Sequence, residues 1–181
     1  KNINLQILSD STLAITWQGE FESEALLSLD RKVGEASWQM DYTNVPANDS
    51  IYVDTLYSVH TDTVYSYRLR FKESDNSSSI SPSVALLSER CVPVDFSARQ
   101  IDKSTIRIAW RDQSFGEAGF RIDRQVGNDD WQIAYAKADS NSYEYFDITT
   151  TSSEISYRIA AYAGSSFSSF TEIAKIKLGS L

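Results

Sequence analysis

Thr12-Leu-Ala-Ile-Thr-Trp17 and Thr105-Ile-Arg-Ile-Ala-Trp110 alternate apolar with other residues, so Leu13, Ile15 and Trp17, or Ile106, Ile108 and Trp110, share one face of an extended chain. A period of two carried by β-branched and aromatic side chains predicts a half-buried strand. Tyr65-Ser-Tyr-Arg-Leu-Arg-Phe71 and Ile155-Ser-Tyr-Arg-Ile-Ala-Ala161 repeat the pattern, with Tyr67 and Leu69, or Tyr157 and Ile159, on the buried side. Glu24 to Val33 taken alone has helical spacing, because Leu26, Leu29 and Val33 fall among good helix formers. The corresponding stretch Glu117 to Val126 contains Gly119 and alternates Phe120 with Ile122, so both segments are expected to be strands. Leu27 and Leu29 then stand where Phe120 and Ile122 do. Leu5 with Ile7, Trp38 with Met40, Tyr52 and Val84 mark further strands, about seven in each half of the chain.

These pairs reflect a duplication. An offset of 93 residues carries Trp17 to Trp110, Asp30 to Asp123, Arg31 to Arg124, Gly34 to Gly127, Trp38 to Trp131, Tyr52 to Tyr145 and Asp54 to Asp147. Beyond that block the offset is 90, carrying Tyr67 to Tyr157, Arg68 to Arg158 and Leu69 to Ile159. Three residues have been lost between the blocks, which places a loop between Asp147 and Tyr157 and its longer counterpart between Asp54 and Tyr67. A period near 90 residues is a small self-contained domain, whereas solenoid units repeat every ~20 to 50 residues. The expected organisation is two domains, 1–89 and 90–181, with almost nothing left for a free linker around Glu89 to Val92. About seven short strands in each, with no helix, predict all-β architecture: two tandem sandwiches of two antiparallel sheets.

The second copy carries a recognisable order of elements. Pro93 opens its first strand, Trp110 closes the second, Gly119-Phe-Arg-Ile-Asp-Arg124 forms the third and Trp131 lies in the fourth. Tyr145-Phe-Asp147 and Tyr157-Arg-Ile-Ala-Ala161 follow, and the first copy matches at Trp17, Leu29-Asp-Arg31, Trp38, Tyr52-Val-Asp54 and Tyr65-Ser-Tyr-Arg-Leu69. In this the chain resembles a pair of fibronectin type III domains over nearly its whole length, in the style found in bacterial secreted and surface proteins. The resemblance implies immunoglobulin-like seven-stranded sandwiches. It also implies a tyrosine pinning the loop before the sixth strand; Tyr65 occupies that place, while Ile155 stands opposite it, so the second loop is expected to be held by packing. Phe167-Ser-Ser-Phe170 resembles the Trp-Ser-x-Trp-Ser box of cytokine receptors, a relation the absence of cysteine pairs counts against.

Composition narrows function by exclusion. The net charge is −8, with 6 Lys+Arg against 13 Asp+Glu in residues 1–89 and 11 against 12 in 90–181, a balance that disfavours nucleic acid and anionic lipid. No apolar run is long enough for a membrane-spanning segment and no signal peptide opens the chain. It begins at Lys1, and is expected to be a piece of something longer. The lone Cys91 excludes an intramolecular disulfide and is expected to be tucked beside the junction.

No catalytic, cofactor-binding or metal residues are expected. The single histidine, His60, lies in a loop among Ser58, Thr61 and Asp62 and is expected to be a solvated loop residue. Glu20, Glu22 and Glu24 could pair as glycosidase or calcium carboxylates, but neither a deep pocket nor a calcium-loop pattern accompanies them. The reading is a non-enzyme: spacer or scaffold modules of a secreted or cell-surface protein, whose partners are the parent's other domains. The alternative is a protein- or glycan-binding adhesion module. It would use the loop pairs Gly19 to Glu24 with Glu73 to Ser81 and Arg111 to Glu117 with Ala163 to Ser169, the phenylalanines Phe115, Phe167 and Phe170, or exposed Trp38 and Trp131.

Overall fold

The computed structural model describes residues 2–19, 26–46, 49–72 and 77–179. The first half contains β1 (Asn2–Ser9), β2 (Thr12–Gln18), β3 (Leu26–Val33), β4 (Gln39–Val45), β5 (Ile51–Thr55), β6 (Tyr65–Lys72), β7 (Ser78–Ile80) and β8 (Val84–Leu86). One sheet has the order β1-β2-β5; the other runs β4-β3-β6-β7, with β8 also on β6, and every pairing is antiparallel. The second half repeats this with β9 (Val94–Gln100), β10 (Thr105–Arg111), β11 (Gly119–Val126), β12 (Gln132–Asp139), β13 (Glu144–Ile148), β14 (Glu154–Ala163), β15 (Ser166–Phe167) and β16 (Ala174–Lys177). Its sheets are β13-β10-β9 and β12-β11-β14-β15, with β16 also on β14. The ambiguous stretches at 26–33 and 119–126 are both strands, as the duplication requires; Glu24 and Ala25 lie outside the described residues.

The seventh strand of each sandwich runs in two pieces because a hydroxyl takes over ladder duty. Ser81 donates its N–H to the Leu69 carbonyl (2.9 Å), while its Oγ accepts from the Leu69 N–H (2.9 Å). Thr171, 90 residues on, does the same with Ile159 at 3.0 and 3.2 Å. A side-chain oxygen replacing a main-chain carbonyl shifts the strand sideways, so pairing stops and resumes a few residues later.

Each sandwich fills with the residues the alternation selects. Leu13, Ile15, Trp17, Leu27, Leu29, Tyr67 and Leu69 pack in the first, and Ile106, Ile108, Trp110, Phe120, Ile122, Tyr157 and Ile159 in the second. Each fully buried Leu or Ile contributes about 1.5 to 3 kcal/mol from burial. A third, small cluster of Val64, Ala85, Cys91 and Ala163, with Leu87 against it, takes residues from both halves. Cys91 closes the three-residue 3-10 turn Glu89–Cys91, capped where the Arg90 N–H donates to Ser88 Oγ (3.1 Å).

Candidate functional site

In each half two buried aspartates each gather several polar side chains. Asp54 on β5 is almost completely buried, and accepts hydrogen bonds from Tyr67 Oη on β6 (2.7 Å), Tyr42 Oη on β4 (2.8 Å) and Arg31 Nη1 on β3 (3.1 Å). Since β5 belongs to one sheet and the three donors to the other, the carboxylate bolts the sandwich together. Asp147 repeats the arrangement with Tyr157, Tyr135 (2.6 Å) and Arg124, whose Nε stands 3.3 Å away. Burial, then the bond to the carboxylate, pushes Tyr42 and Tyr135 up to about 12, and drives Tyr67 and Tyr157 higher still. The pinning tyrosine is therefore Tyr67 in one copy and Tyr157 in the other. Tyr65 packs against the core instead, and the second loop is tied by a hydrogen bond rather than by packing alone.

The second carboxylate, Asp30 on β3 or Asp123 on β11, is wholly buried although it lies on the solvent side of the five-stranded sheet. Asp30 accepts from Arg68 Nε (2.8 Å), Arg70 Nη2 (2.7 Å) and the Asp41 N–H (3.0 Å). Asp123 accepts from Arg121 Nε (2.8 Å), Arg158 Nη2 (2.9 Å) and the Ala134 N–H (2.8 Å). Asp41 and Ala134 correspond, each with φ of 52° at an irregularity in its strand pair, so the carboxylate fixes a bulge amide. Burial alone would raise both carboxyls, but the arginine and amide bonds outweigh it and hold them below the usual range.

The two copies supply the second arginine from opposite strands. Ser28 pairs with Arg70 in the β3–β6 ladder, and Arg121 with Ala160 at the same point of the β11–β14 ladder. Each site keeps two guanidinium groups, while the backbone origin of the second has crossed the ladder. Above these ion pairs lies a stack of rings and cations. Arg68 sits 4.2 Å from the centroid of Trp38 and Arg158 4.4 Å from that of Trp131. In the second copy the stack continues through Phe170, 4.0 Å from Arg158 and 5.2 Å from Arg121, to Phe167, 5.1 Å from Arg121. The Phe167-Ser-Ser-Phe170 run thus clamps the last hairpin, and buried Ser168 between the rings accepts the Ala161 N–H at 3.0 Å.

The three phenylalanines do not form one tip. Phe115 lies at the junction, where its N–H donates to the Asp62 carbonyl (2.8 Å), its carbonyl accepts from Val64 N–H (2.9 Å) and its ring lies against Gly34. Ser165 N–H donates to the Ser83 carbonyl (3.3 Å) and Ser166 Oγ accepts from Ala85 N–H (2.9 Å). The loop pair Arg111 to Glu117 and Ala163 to Ser169 is therefore committed to the first half of the same chain. Of the other pair, Glu20 to Ala25, including Glu20, Glu22 and Glu24, and Glu73 to Asn76 lie outside the described residues.

His60 Nδ1 is 2.7 Å from Glu89 Oε1, joining the long loop to the 3-10 turn at the surface. Cys91 is 1% exposed, its Sγ 3.7 Å from the Thr61 carbonyl, and burial pushes the thiol up to about 11. No group of three His, Cys, Asp or Glu is placed to hold a metal ion among the described residues, and no described helix is long and apolar enough to cross a membrane. Arg68, Arg70, Arg121 and Arg158 donate to the buried carboxylates and one face of Trp38 and of Trp131 is covered, so the arrangement is suited to fixing geometry.

No family model and no curated protein matches the chain. Among solved structures it is similar to a two-domain fibronectin type III segment of chicken tenascin, at 12% identity and a TM-score of 0.48 over 98% of each chain. It is also similar to the FN1–FN3 domains of chicken CNTN1, at 18% identity and a TM-score of 0.46, over 94% of this chain and 61% of that one. The fold class stands on this chain's own strand order: all-β, two tandem sandwiches of fibronectin type III type.

Proposed function

We propose that the chain is a non-catalytic spacer within a larger secreted or cell-surface protein, made of two modules, 1–89 and 90–181, set at a fixed mutual angle. The observation that carries this reading is the junction. A flexible tether would leave loop ends solvated, whereas here backbone hydrogen bonds between Asp62, Val64 and Phe115 join the halves, and Cys91, Val64, Ala85 and Ala163 share a core between them. The loop that reaches across is the one that is three residues longer in the first copy, which gives the length difference a use. Adhesion through the corresponding loops of the second module finds less support, because hydrogen bonds tie Phe115, Ser165 and Ser166 to the first half, leaving Phe115 and Phe167 about half exposed. Small-angle scattering with residual dipolar couplings tests the proposal. One alignment tensor for both halves supports it, and two independent tensors, with a scattering curve that needs an ensemble, overturn it.

A further inference from the structure

Among the described residues β1 pairs only with β2, so the N–H and C=O groups that its alternate residues direct to the far edge are without a ladder partner. Open edges are ordinarily guarded by charge, proline or an early bulge. The corresponding β9 has all three: Pro93 precedes it, Asp95 has φ of 55°, and Arg99 lies on it. In β1, Asn2-Ile-Asn-Leu-Gln-Ile-Leu-Ser9, there is no charge and no proline, and the pairing is regular until the shift between Ile7 and Ser9. Ile7 and Leu8 are each 50% exposed.

The outer face of the sheet beside this edge is also uncharged. The outer face of the β1-β2-β5 sheet carries Asn2, Asn4 and Gln6, then Thr12, Thr16 and Gln18, then Ile51, Val53 and Thr55. This lies within the half that has 6 Lys+Arg against 13 Asp+Glu. On the inner side of the edge lies a groove of about 550 Å³ whose lining includes Ile3, Leu5, Ile7, Leu86, Leu87 and Phe167.

We propose that β1 pairs antiparallel with β1 of a second copy of this chain, about a two-fold axis at Leu5, joining two three-stranded sheets into one of six strands. That register sets Ile3 against Ile7 and Leu5 against Leu5 on the groove side, and Asn4 against Gln6 on the outer side. The edge is thus complementary to itself, as a two-fold interface requires. Charge selects the occupant: copies with a net charge of −8 repel over most approaches, and this face and edge lack the charge that would oppose them. Only one strand pair and its flanks are buried, so the association is weak.

Sedimentation equilibrium from about 1 µM to about 1 mM spans the affinities so small an interface supports. The expected mass rises from 20.4 kDa toward twice that value. Asn4→Glu/Gln6→Glu opposes like charges twice across the axis and should weaken association at least about tenfold. Asn4→Lys/Gln6→Glu, which leaves the net charge unchanged, opposes unlike charges at the same places and should restore it. Circular dichroism checks that both variants fold, and the lysine variant keeps the test decisive if the glutamate pair does not. A constant 20.4 kDa for the unaltered chain overturns the proposal, as does self-association indifferent to both variants, or a lysine variant no stronger than the glutamate pair.

Discussion

Replacing Gly116 with alanine should uncouple the two halves while leaving each intact. Gly116 has φ of 100°, and a Cβ there would stand 2.4 Å from the carbonyl carbon and oxygen of Gly34 and 2.5 Å from its Cα. That is about 1 Å inside ordinary contact, and the obstructing atoms are backbone, so no side chain can swing aside. The conformation alone costs an L residue about 2 kcal/mol. Moving the strands apart also stretches the Val64–Phe115 and Phe115–Asp62 hydrogen bonds, worth about 1 kcal/mol each. The total, about 4 kcal/mol, falls on the junction, because Gly116 and Gly34 belong to neither large core. The assay combines ¹⁵N relaxation with scanning calorimetry. The unaltered chain should tumble as one body, and Gly116→Ala should give each half its own, shorter correlation time and a lower midpoint for the less stable half. Gly127→Ala is the control: φ is 56°, but the nearest atom, Ser153 Cβ, is 3.8 Å away. It should lose only about 1 kcal/mol and keep common tumbling. If Gly116→Ala tumbles as one body with midpoints within about 1 °C of the unaltered chain, the junction contributes no coupling and the argument fails.

Three further outcomes follow from the buried polar groups. Arg70→Ala removes charge-assisted bonds to Asp30 and should destabilise by about 2 kcal/mol, and adding Ser28→Arg, which copies the second module's arrangement, should recover most of that in urea unfolding. In an absorbance titration near 295 nm, Tyr42, Tyr67, Tyr135 and Tyr157 should remain un-ionised at pH 11, leaving at most six of the ten tyrosines to contribute. Their folded values lie above the unfolded one, so the stability they contribute is complete below pH 10; that of Tyr42 and Tyr135 is lost as pH rises through about 12, and that of Tyr67 and Tyr157 only at higher pH. Cys91 should resist thiol reagents in the folded chain and react fully in denaturant; fast labelling of the native protein would contradict its burial.

The alternating strands and their duplication were legible because apolar period and repeat spacing are local properties of a sequence. The ambiguous Leu26–Val33 strand was resolved only through its clearer copy at 119–126. The inter-sheet bolts were half visible: Asp54 and Asp147 stood out as matching positions, as did Arg31 and Arg124, but nothing linear says that they touch. Tyr42 and Tyr135 were missed although the same offset of 93 pairs them, because a matched tyrosine carries no mark of the carboxylate its hydroxyl reaches. The pinning role went to Tyr65 rather than Tyr67 because two inward residues of one strand differ only in depth. The exchange of Arg70 for Arg121 was hidden because the two occupy different positions of the repeat and meet only across a ladder. The loops of the second module looked free because a junction is a property of two surfaces, and periodicity describes one at a time.

The extra length between Asp54 and Tyr67 gives the pair a direction. Its end at Asp62 to Val64 fits the Phe115 loop ahead of it, while the shorter stretch from Ile148 to Glu154 has no equivalent segment with which to grip a successor in the same manner. Transposing the halves would therefore keep both sandwiches and lose their mutual grip. The two copies fit as a plug and a socket, and the order in which they are strung is part of what the gene encodes.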